Sequence, residues 1–410
     1  MVDPGLIRIQ DFDYPLPEER IAQFPLSERD ESRLLILRNG IISQSRFSEI
    51  SRFIPPESLL VFNDTKVIRA RLIFKKNTGA HIEIFCLEPL APVTEVEAVF
   101  REKASCVWKC LIGNVKRWRS GLLQMELEGM SGPGILYAER GSNLGDGGFA
   151  ITFRWEPPEM TFSEVLDAAG TVPLPPYIHR QTVPDDAGRY QTIYARHEGS
   201  VAAPTAGLHF TDRVMKNIEQ LGCRFAKVTL HVGVGTFRPV SSPTLQEHIM
   251  HSEKIIVSRQ TIAGLISGRN RPVIAVGTTS ARTLESLFWL GVKILKGETG
   301  DNFHIMQWDP YQVPGSGLIT RDESLTALLH YLDQNRLDEL HGETQLIIVP
   351  GYNFKIISGL ITNFHMPQST LLLLVAALTG DKWKDAYRFA LENGFRFLSY
   401  GDCCLFFKTH

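Results

Sequence analysis

The sequence predicts an α/β fold in which a large, discontinuous α/β domain carries an inserted, small, antiparallel β-domain that resembles a barrel. Short runs that alternate between apolar and polar residues are concentrated between about residues 66 and 155, as is typical of antiparallel sheets. On both sides, at 1–65 and 156–410, strand-like runs alternate with helix-like ones, as they do in α/β folds. Because the same pattern flanks the β-rich segment, we expect this segment to be an insertion.

Within the β-rich segment, strand patterns occur at 81–85 (HIEIF), 124–128 (QMELE) and 149–155 (FAITFRW). In the third run, every second residue from Phe149 to Trp155 is apolar. This period of two predicts a strand with one buried face.

Strand-like runs in the flanking segments lie at 34–40, 59–64, 227–232 and 271–277. Helices between them are marked by capping residues. Thr161 and Glu164 form a T-x-x-E capping box for a helix that should stop at Gly170. Thr211 precedes an amphipathic stripe and should cap the next helix.

The stretch from about 292 to 342 is predicted to be an extra insertion in the large domain. It contains a region rich in glycine and proline, followed by a T-x-x-E box at Thr320 and Glu323 and an amphipathic helical pattern. We expect it to form an added element on the surface.

The charge and the termini narrow the function classes. A formal net charge of −2 argues against a domain that coats nucleic acid over its whole surface, so any RNA contact should be a local patch. The acidic, proline-containing start lacks the pattern of a signal peptide. The longest apolar run, Leu371 to Leu378, is far shorter than the roughly 20 residues that span a bilayer. We expect a cytoplasmic protein without a membrane partner.

Four polar blocks follow apolar runs, which is where α/β proteins place their ligand sites. The first block, at 203–211, contains Thr205 and His209. It is equally well interpreted as a capped loop with one histidine that packs in the core. The second, at 229–237, should place His231, Gly233 and Gly235 on one strand face, where a ligand can approach closely.

The second block does not predict a dinucleotide site. A G-x-G-x-x-G fingerprint would require a third glycine where Arg238 stands. A Rossmann-type NAD site is therefore not supported.

The third block gathers imidazoles and carboxylates at Glu247, His248, His251 and Glu253. Its spacing differs from the H-E-x-x-H pattern of zinc enzymes. Histidines three residues apart with flanking acids are more typical of hydrogen-bonded or catalytic groups, so no metal is predicted.

The fourth block begins a helix with hydroxyl groups, at Thr278, Thr279 and Ser280, and continues to Arg282. The free N–H groups of a helix N-terminus favour an anion, and a carboxylate or phosphate would bind there. A simple Thr/Ser helix cap is the alternative. Two later segments have the same polar, turn-forming composition and contain Asn363, His365, Tyr400 and Asp402.

A short basic run is the candidate RNA contact, with Lys116, Arg117 and Arg119 around Trp118. Basic side chains bind phosphates, and an aromatic face can stack on an unpaired base. Lys75 and Lys76 could extend this patch, although short basic runs on β-domains are usually only solvated.

Taken in order, these blocks resemble the S-adenosylmethionine:tRNA ribosyltransferase-isomerase family of queuosine biosynthesis. The resemblance covers nearly the whole chain. It rests on DFDYPLPEERIAQFPLSERDESRLLIL, VFNDTKVIRARL, PLPPYI, RYQTIYAR, VAAPTAGLHFT, TLHVGVGTFRPV, HIMHSE, VGTTSARTLES, PGYNFKIISGLITNFHMPQSTLLLLVAALTG and FRFLSYGD.

The resemblance implies a large α/β domain with a smaller barrel-like one. It also implies that the ribosyl moiety of S-adenosylmethionine is transferred and isomerised onto 7-aminomethyl-7-deazaguanine at the wobble position of a tRNA. The products would be epoxyqueuosine-tRNA, adenine and methionine. S-adenosylmethionine would be a consumed substrate and no other cofactor would be needed, because the sulfonium acidifies the neighbouring 5′ carbon. We expect a monomer that binds this precursor tRNA.

This chemistry requires a base, an acid for the departing adenine and a site that excludes water. The pool predicted for proton transfer, left unranked, is His209, His231, His251, Glu247 and Asp402. The predicted substrate-binding residues are Asn63, Asp64, Thr205, Gly233, Gly235, Thr278, Thr279, Ser280, Arg282, Asn363, His365 and Tyr400. Among these, Asn63 and Asp64 are assigned to ribose hydroxyls or the aminomethyl group, and the block at 278–282 to a carboxylate or phosphate.

Three features depart from the family pattern: Arg69 replaces a usual proline, Gln368 replaces a usual lysine, and the link over 287–349 is much longer. They leave room for a diverged paralogue that acts on another RNA. The histidine-rich blocks also permit a metal-dependent hydrolase, which chelators would inhibit. A non-catalytic RNA-binding module is the remaining interpretation, and it would bind tRNA without consuming S-adenosylmethionine.

Overall fold

Two large β-sheets organise the chain in the computed structural model, which describes residues 6–76, 78–127, 134–145, 147–233, 244–268, 271–298, 303–312 and 319–409. In chain order the strands are β1 (Arg33–Arg38), β2 (Ile41–Arg46), β3 (Leu59–Asn63), β4 (Thr65–Val67), β5 (Arg71–Lys75), β6 (His81–Ala91), β7 (Ser105–Gly113), β8 (Leu123–Leu127), β9 (Gly134–Gly145), β10 (Gly148–Glu156), β11 (Gly170–Thr171), β12 (His197–Ser200), β13 (Arg224–Leu230), β14 (Glu253–Ser258), β15 (Val273–Val276), β16 (His304–Ile305), β17 (Glu339–Thr344), β18 (Gly359–Asn363) and β19 (Cys403–Phe407). The helices are α1 (Val96–Val99), α2 (Phe162–Ala169), α3 (Asp186–Arg189), α4 (Asp212–Glu219), α5 (Arg259–Ser267), α6 (Thr278–Leu295), α7 (Asp309–Gln312), α8 (Arg321–Asn335), α9 (Thr370–Thr379) and α10 (Lys382–Glu392).

The larger sheet has ten strands in the order β16-β17-β14-β13-β3-β15-β18-β19-β1-β2. Its centre consists of four neighbouring parallel strands, β13, β3, β15 and β18. Every residue of β3, β15 and β18 is buried, as expected for parallel strands that are covered on both faces. The sheet is mixed, because β14, β17, β2 and β19 each form an antiparallel pair.

The last strand of the chain lies inside this sheet rather than at its edge. Strand β19 pairs with β18 on one side and with β1 on the other. In the parallel pair, Leu34 lies opposite Cys403 and Leu37 lies opposite Phe406. The two ends of the described chain are therefore joined through adjacent strands.

The second sheet has seven antiparallel strands in the order β11-β5-β6-β7-β10-β9-β8. Strand β5 also contacts β8, although four strands separate them in the sheet, so the sheet curls round on itself. Ile151, Phe153 and Trp155 of β10 face its buried side and pack with Trp108 and Phe162. The antiparallel β-rich segment predicted between 66 and 155 is confirmed as a sheet, while its status as an inserted domain with those boundaries stays a prediction.

The predicted helix caps are confirmed. The Thr161 hydroxyl accepts the Glu164 amide while the Glu164 carboxylate accepts the Thr161 amide, and α2 begins there. Thr211 caps α4 through the amide of Val214. These local bonds satisfy N–H groups that a helix start leaves without partners.

The described part of the stretch from 292 to 342 contains the predicted amphipathic helix, α8. Its capping box at Thr320 begins α8 as expected, but Leu325, Leu328 and Leu332 of α8 are fully buried in the main core. Helix α8 packs on α6 so closely that a Cβ at Gly291 would lie 2.1 Å from the Ser324 carbonyl oxygen. The predicted apolar stripe of α8 is confirmed and packs on α6, while the status of this stretch as an added surface element stays a prediction.

A buried carboxylate fixes the loop that precedes β18. Glu285 of α6 accepts hydrogen bonds from the amides of Lys355, Ile356 and Ile357 at 2.8–3.0 Å, and from the Tyr352 hydroxyl at 2.9 Å. The Tyr352 hydroxyl in turn accepts the indole N–H of Trp289 at 2.8 Å. Burial raises the pKa of Glu285, against the effect of these donors. One side chain therefore satisfies three backbone groups that the loop cannot pair itself.

The longest apolar run of the sequence forms α9, whose Leu372, Leu373 and Leu374 are buried in the fold. It is a core helix of 10 residues. Within the described ranges, no helix has the length and apolar character needed to span a membrane.

Candidate functional site

A cavity lies at the carboxyl edge of the four parallel strands, where open α/β sheets bind ligands. It spans about 820 Å³ of space between protein atoms, which includes open solvent. The residues after β15 and β18 form two of its walls. It is lined by Tyr177, Ala202, Ala203, Pro204, Thr205, Ala206, Val232, Gly277, Thr278, Thr279, Thr362, Asn363, Phe364, His365, Met366, Ser369, Leu371, Leu398 and Ser399.

The N-terminus of the 18-residue helix α6 opens into this cavity through Thr278 and Thr279. Gly277, with φ of +90°, makes the sharp turn from β15 into the helix, a conformation that favours glycine. The first amides of a helix are free donors and carry the positive end of its dipole. Thr278 and Thr279 thus stand at a helix start that faces the cavity, and their predicted contact with a carboxylate or phosphate stays a prediction.

His365 is the imidazole in the cavity wall. Its Nε2 lies 2.9 Å from the Thr362 hydroxyl, and Nδ1 has no hydrogen-bond partner within the described part of the chain. Burial lowers the pKa of His365 to about 3. The ring is therefore neutral at pH 7, with a lone pair on one nitrogen.

His209 lies behind the cavity rather than in its wall. Its Nδ1 is 2.8 Å from the Ser32 hydroxyl and its Nε2 is 3.1 Å from the Asn363 amide nitrogen. The Thr205 hydroxyl donates to the Asn363 carbonyl at 2.9 Å. His209 thus orients Asn363 and, through it, Thr205. Burial, with a smaller contribution from the charge of Arg396, lowers the pKa of His209 to about 3.

These two buried imidazoles predict acid sensitivity. Their folded-state pKa of about 3 lies below the ordinary value of 6.5. The unfolded chain therefore binds protons below about pH 6.5 that the native protein does not, and the free energy of unfolding falls as pH falls. We expect these two groups to remove roughly 2–3 kcal/mol between pH 6 and pH 5.

Urea unfolding at pH 7, 6 and 5 measures this effect. In His365→Gln the pH dependence should shrink by about 1.4 kcal/mol per pH unit below pH 6, whereas replacing the exposed His341 with glutamine should not change it. Equal pH dependence in the wild type and His365→Gln would contradict the prediction.

A second polar cluster surrounds His231, outside the cavity wall. Its Nδ1 lies 3.1 Å from the Thr65 hydroxyl, and a Cβ at Gly199 would lie 2.8 Å from the ring. Burial lowers the pKa of His231 to about 4. Asp64 is close by, 2.7 Å from the Thr229 hydroxyl and 3.9 Å from His197. The predicted catalytic role of His231 stays a prediction, in a site separate from that of His365.

Asn63 does not reach the cavity. Its fully buried side-chain amide donates to the Leu230 carbonyl at 3.0 Å and accepts the Leu230 backbone N–H at 3.1 Å. The same amide nitrogen lies 3.3 Å from the Thr279 hydroxyl. It therefore joins β3, β13 and α6. The predicted contact of Asn63 with ribose hydroxyls does not fit this placement, because its hydrogen-bonding groups are already used.

Arg282 and Ser280 are also turned into the core. Arg282 forms a buried ion pair with Glu253 and donates to the Leu346 carbonyl at 3.0 Å. Ser280 donates to the Val276 carbonyl at 2.7 Å. The predicted anion contact of these two side chains does not fit the structure, and the helix start keeps only Thr278 and Thr279 in the wall.

Asp402 is buried and serves the backbone. Its carboxylate accepts the amide of Arg33 at 3.0 Å and that of Arg396 at 2.8 Å. Its predicted role in proton transfer would require these bonds to break. The geometry indicates instead that it fixes the loop that carries Ser399.

The remaining predicted residues lie elsewhere. His251 and Glu247 line no part of the cavity, Gly233 lies outside the cavity wall, and Gly235 is outside the described residues. Tyr400 is buried and donates to Asp186 at 3.2 Å. Within the described ranges, no three His, Cys, Asp or Glu side chains are placed to hold one metal ion.

The basic run on the seven-stranded sheet is only partly available to RNA. Lys116, Arg117 and Arg119 lie at the surface. Trp118, however, is fully buried and donates its indole N–H to the Gly121 carbonyl at 2.9 Å. The prediction that Trp118 stacks on a base was wrong for this conformation. Lys76 extends the patch, since its ammonium contacts the Arg117 carbonyl at 3.0 Å.

Two departures from the family pattern have local structural roles. Arg69 donates to the Asp167 carbonyl at 2.7 Å, near the C-terminus of α2, where a positive charge is favourable. Gln368 adopts a φ of +55° and its backbone N–H donates to the Phe12 carbonyl at 2.9 Å. Neither side chain lines the cavity.

Four further wall residues are not among those predicted from the sequence, namely Tyr177, Thr362, Ser369 and Ser399. Ser399 and Ser369 stand within polar, turn-forming segments, so their composition was a usable signal. Tyr177 lies in PLPPYI and had no chemical signal beyond the family resemblance.

Comparison with known proteins identifies the family. A family model described as queuosine biosynthesis protein matches residues 9–406. Proteins from Syntrophotalea carbinolica and Halothermothrix orenii, both named S-adenosylmethionine:tRNA ribosyltransferase-isomerase, are 40% and 39% identical over 97% of this chain and 99% of their own length. A crystal structure of S-adenosylmethionine tRNA ribosyltransferase from Thermotoga maritima is 28% identical over 97% of this chain and 99% of that one, with a TM-score of 0.45. The chain belongs to the queuosine biosynthesis protein family.

Proposed function

We propose that this protein transfers and isomerises the ribosyl moiety of S-adenosylmethionine onto 7-aminomethyl-7-deazaguanine at the wobble position of a tRNA. The products are epoxyqueuosine-tRNA, adenine and methionine. Full-length relatives at about 40% identity carry the corresponding name. S-adenosylmethionine is consumed as a substrate, and the protein acts as a monomer without a further cofactor.

The observation that carries this proposal is the chemistry of the cavity wall. As the described residues form it, the wall contains no Lys, Arg, Asp or Glu, and combines aromatic rings, hydroxyls and one neutral imidazole. A sulfonium cation is compatible with aromatic faces and oxygen lone pairs. The α6 N-terminus, at Thr278 and Thr279, suits the methionine carboxylate.

We assign the base to His365. The reaction breaks the C5′–H bond, the C1′ bond to adenine, the C4′–O ring bond, the C5′–S bond and one N–H bond of the aminomethyl group. It forms a C4′–N bond to the aminomethyl group, a C1′–C5′ bond that closes the cyclopentane ring and a C5′–O bond that closes the epoxide. Of the two protons removed, one leaves on adenine and the other is released, and methionine leaves with the electron pair of the C5′–S bond. His365 is proposed because its ring is the neutral nitrogen base in the wall and its Nδ1 has no hydrogen-bond partner among the described residues. Its lowered pKa of about 3 makes it a weak base in the empty cavity, so the proton transfer depends on the acidity that the positive sulfur gives the 5′ carbon. His209, whose two ring nitrogens are occupied, positions Asn363 instead.

Product analysis tests the function. Incubation with S-adenosylmethionine and tRNA carrying the deazaguanine precursor should release adenine and methionine in equal amounts, and tRNA lacking the precursor should release neither. Release of neither product from the precursor tRNA would refute the proposal.

A further inference from the structure

A basic cleft adjoins the cavity on the side of His209. It spans about 310 Å³ of space that includes open solvent, and is lined by Pro25, Leu26, Arg29, Ser32, Arg189, Leu208, His209, Arg396, Ser399 and Tyr400. Ser399 lines both the cleft and the cavity. Three guanidinium groups, from Arg29, Arg189 and Arg396, therefore lie next to the proposed S-adenosylmethionine site.

The structure holds two of these arginines in place without neutralising them. Arg29 donates to the carbonyls of Gln191 and Gly188 at 2.5 and 2.7 Å, and Arg189 donates to the carbonyls of Ser27 and Leu26. A carbonyl accepts a hydrogen bond but carries no net charge. Within the described ranges, neither guanidinium forms an ion pair.

The nearby carboxylates are engaged elsewhere. Asp186 forms a two-pronged pair with Arg180 at 2.7 Å. Asp402 lies 3.6 Å from Arg396 but accepts two backbone amides. The Nη2 atom of Arg396 is buried without a hydrogen-bond partner. Among these carboxylates, Asp402 is the one near the three guanidinium groups, and it is shared with two backbone amides. Holding three positive charges together with so little compensation costs free energy unless an anion binds.

The rim of the cleft also carries an aromatic side chain. Phe24 is 55% exposed, and the guanidinium of Arg180 lies over its ring at 4.1 Å. Arg396 donates to the Phe24 carbonyl at 3.4 Å, which places this residue beside the cleft. Binding sites for single-stranded RNA usually combine two kinds of group. Arginine side chains bind phosphate with two N–H groups, and aromatic rings or guanidinium planes stack on unpaired bases.

We propose that the cleft formed by Arg29, Arg189 and Arg396 binds a backbone phosphate of the RNA substrate, next to the nucleotide whose base enters the cavity. This inference rests on the proposed function. The RNA phosphate is favoured over the methionine carboxylate because the cleft opens to solvent and lies behind His209, whereas the α6 N-terminus supplies an anion site within the cavity itself.

The test measures RNA binding without S-adenosylmethionine, using a synthetic RNA hairpin with the sequence of a tRNA anticodon arm. Arg189→Gln and Arg396→Gln should each weaken binding by about 3–10-fold near 100 mM salt and lower the slope of log K against log salt by about 0.7. Arg189→Lys should recover part of the affinity, because it keeps the charge. Arg259→Gln, which removes an exposed arginine of α5, is the matched control and should bind like the wild type.

Two results would overturn the inference. One is unchanged RNA affinity and salt slope in both glutamine variants. The other is weakened S-adenosylmethionine binding with intact RNA binding, which would assign the cleft to the methionine carboxylate. Arg189 also holds the loop at Leu26 and Ser27 through two carbonyls, so the thermal unfolding of each variant is measured in parallel. Arg396→Gln loses only one such bond, to the Phe24 carbonyl, and is therefore the test less affected by changes in folding. Adenine release by the wild type reports on the proposed function separately from this binding measurement.

Discussion

Replacing His365 with glutamine is expected to lower kcat by about 10²–10⁴-fold, the usual contribution of a positioned proton acceptor. The KM for S-adenosylmethionine should change only a few-fold, because the rest of the cavity wall and the α6 N-terminus remain. Glutamine keeps a polar group near Thr362 but supplies no basic nitrogen. Steady-state release of adenine, measured at saturating tRNA, gives both constants.

Two further variants make this prediction specific. His209→Gln should act mainly through Asn363, and so raise KM more than it lowers kcat. His341→Gln, at an exposed position of β17, should leave both constants unchanged. If His209→Gln abolished turnover while His365→Gln kept it, the base would have to be reassigned to His209.

The second large effect is expected on stability. Glu285→Ala removes the acceptor for three backbone amides and one phenol. Each donor left buried without a partner costs about 1–3 kcal/mol, so the total loss should exceed about 4 kcal/mol. Urea unfolding measures it, and we expect the variant to be largely unfolded at 37 °C or insoluble.

Glu285→Gln retains one carbonyl oxygen and should lose roughly half as much. Glu392→Ala, at an exposed position at the C-terminal end of α10, is the matched comparison. A surface substitution of this kind usually changes the free energy of unfolding by less than about 0.5 kcal/mol. Wild-type stability in Glu285→Ala would show that the loop over 352–357 pairs its own amides, contrary to the network described.

Local signals predicted the elements of the fold well. The capping box at Thr161, the cap at Thr211 and the alternation from Phe149 to Trp155 are decided by neighbours within a few residues. The amphipathic stripe of α8 predicted a helix with one buried face, but such a stripe does not reveal which part of the fold it packs on. The partner of α8 is α6, and the contact between Ser324 and Gly291 depends on the tertiary fold.

The site residues also divide into those that the local sequence predicts and those that depend on tertiary contacts. Thr278 and Thr279 were identified because a helix start has intrinsic chemistry, whatever its surroundings. Arg282 has an equally suggestive position in sequence, yet its partner is Glu253, a residue of strand β14. Asn63 is occupied by Leu230, which is distant in the chain. In the sequence, a polar residue whose hydrogen-bond partner is distant in the chain cannot be distinguished from a polar residue that binds a ligand.

The arginine cleft was not predicted for a related reason. Arg29, Arg189 and Arg396 come from three distant segments, and each is an ordinary basic residue in its own sequence context. With a formal net charge of −2 over the chain, only the fold shows that three of the positive charges meet beside the cavity.

The position of β19 between β18 and β1 has a consequence for synthesis on the ribosome. The pairing of Leu34 with Cys403 can form only after both residues have been synthesised. Their large separation in sequence slows folding, because a long loop of chain has to be closed before the two strands can pair. The cavity walls at Phe364, His365, Leu398 and Ser399 belong to the same late segment. A nascent chain that still lacks these residues has no complete pocket, so the cavity can form only after residue 399 has left the ribosome.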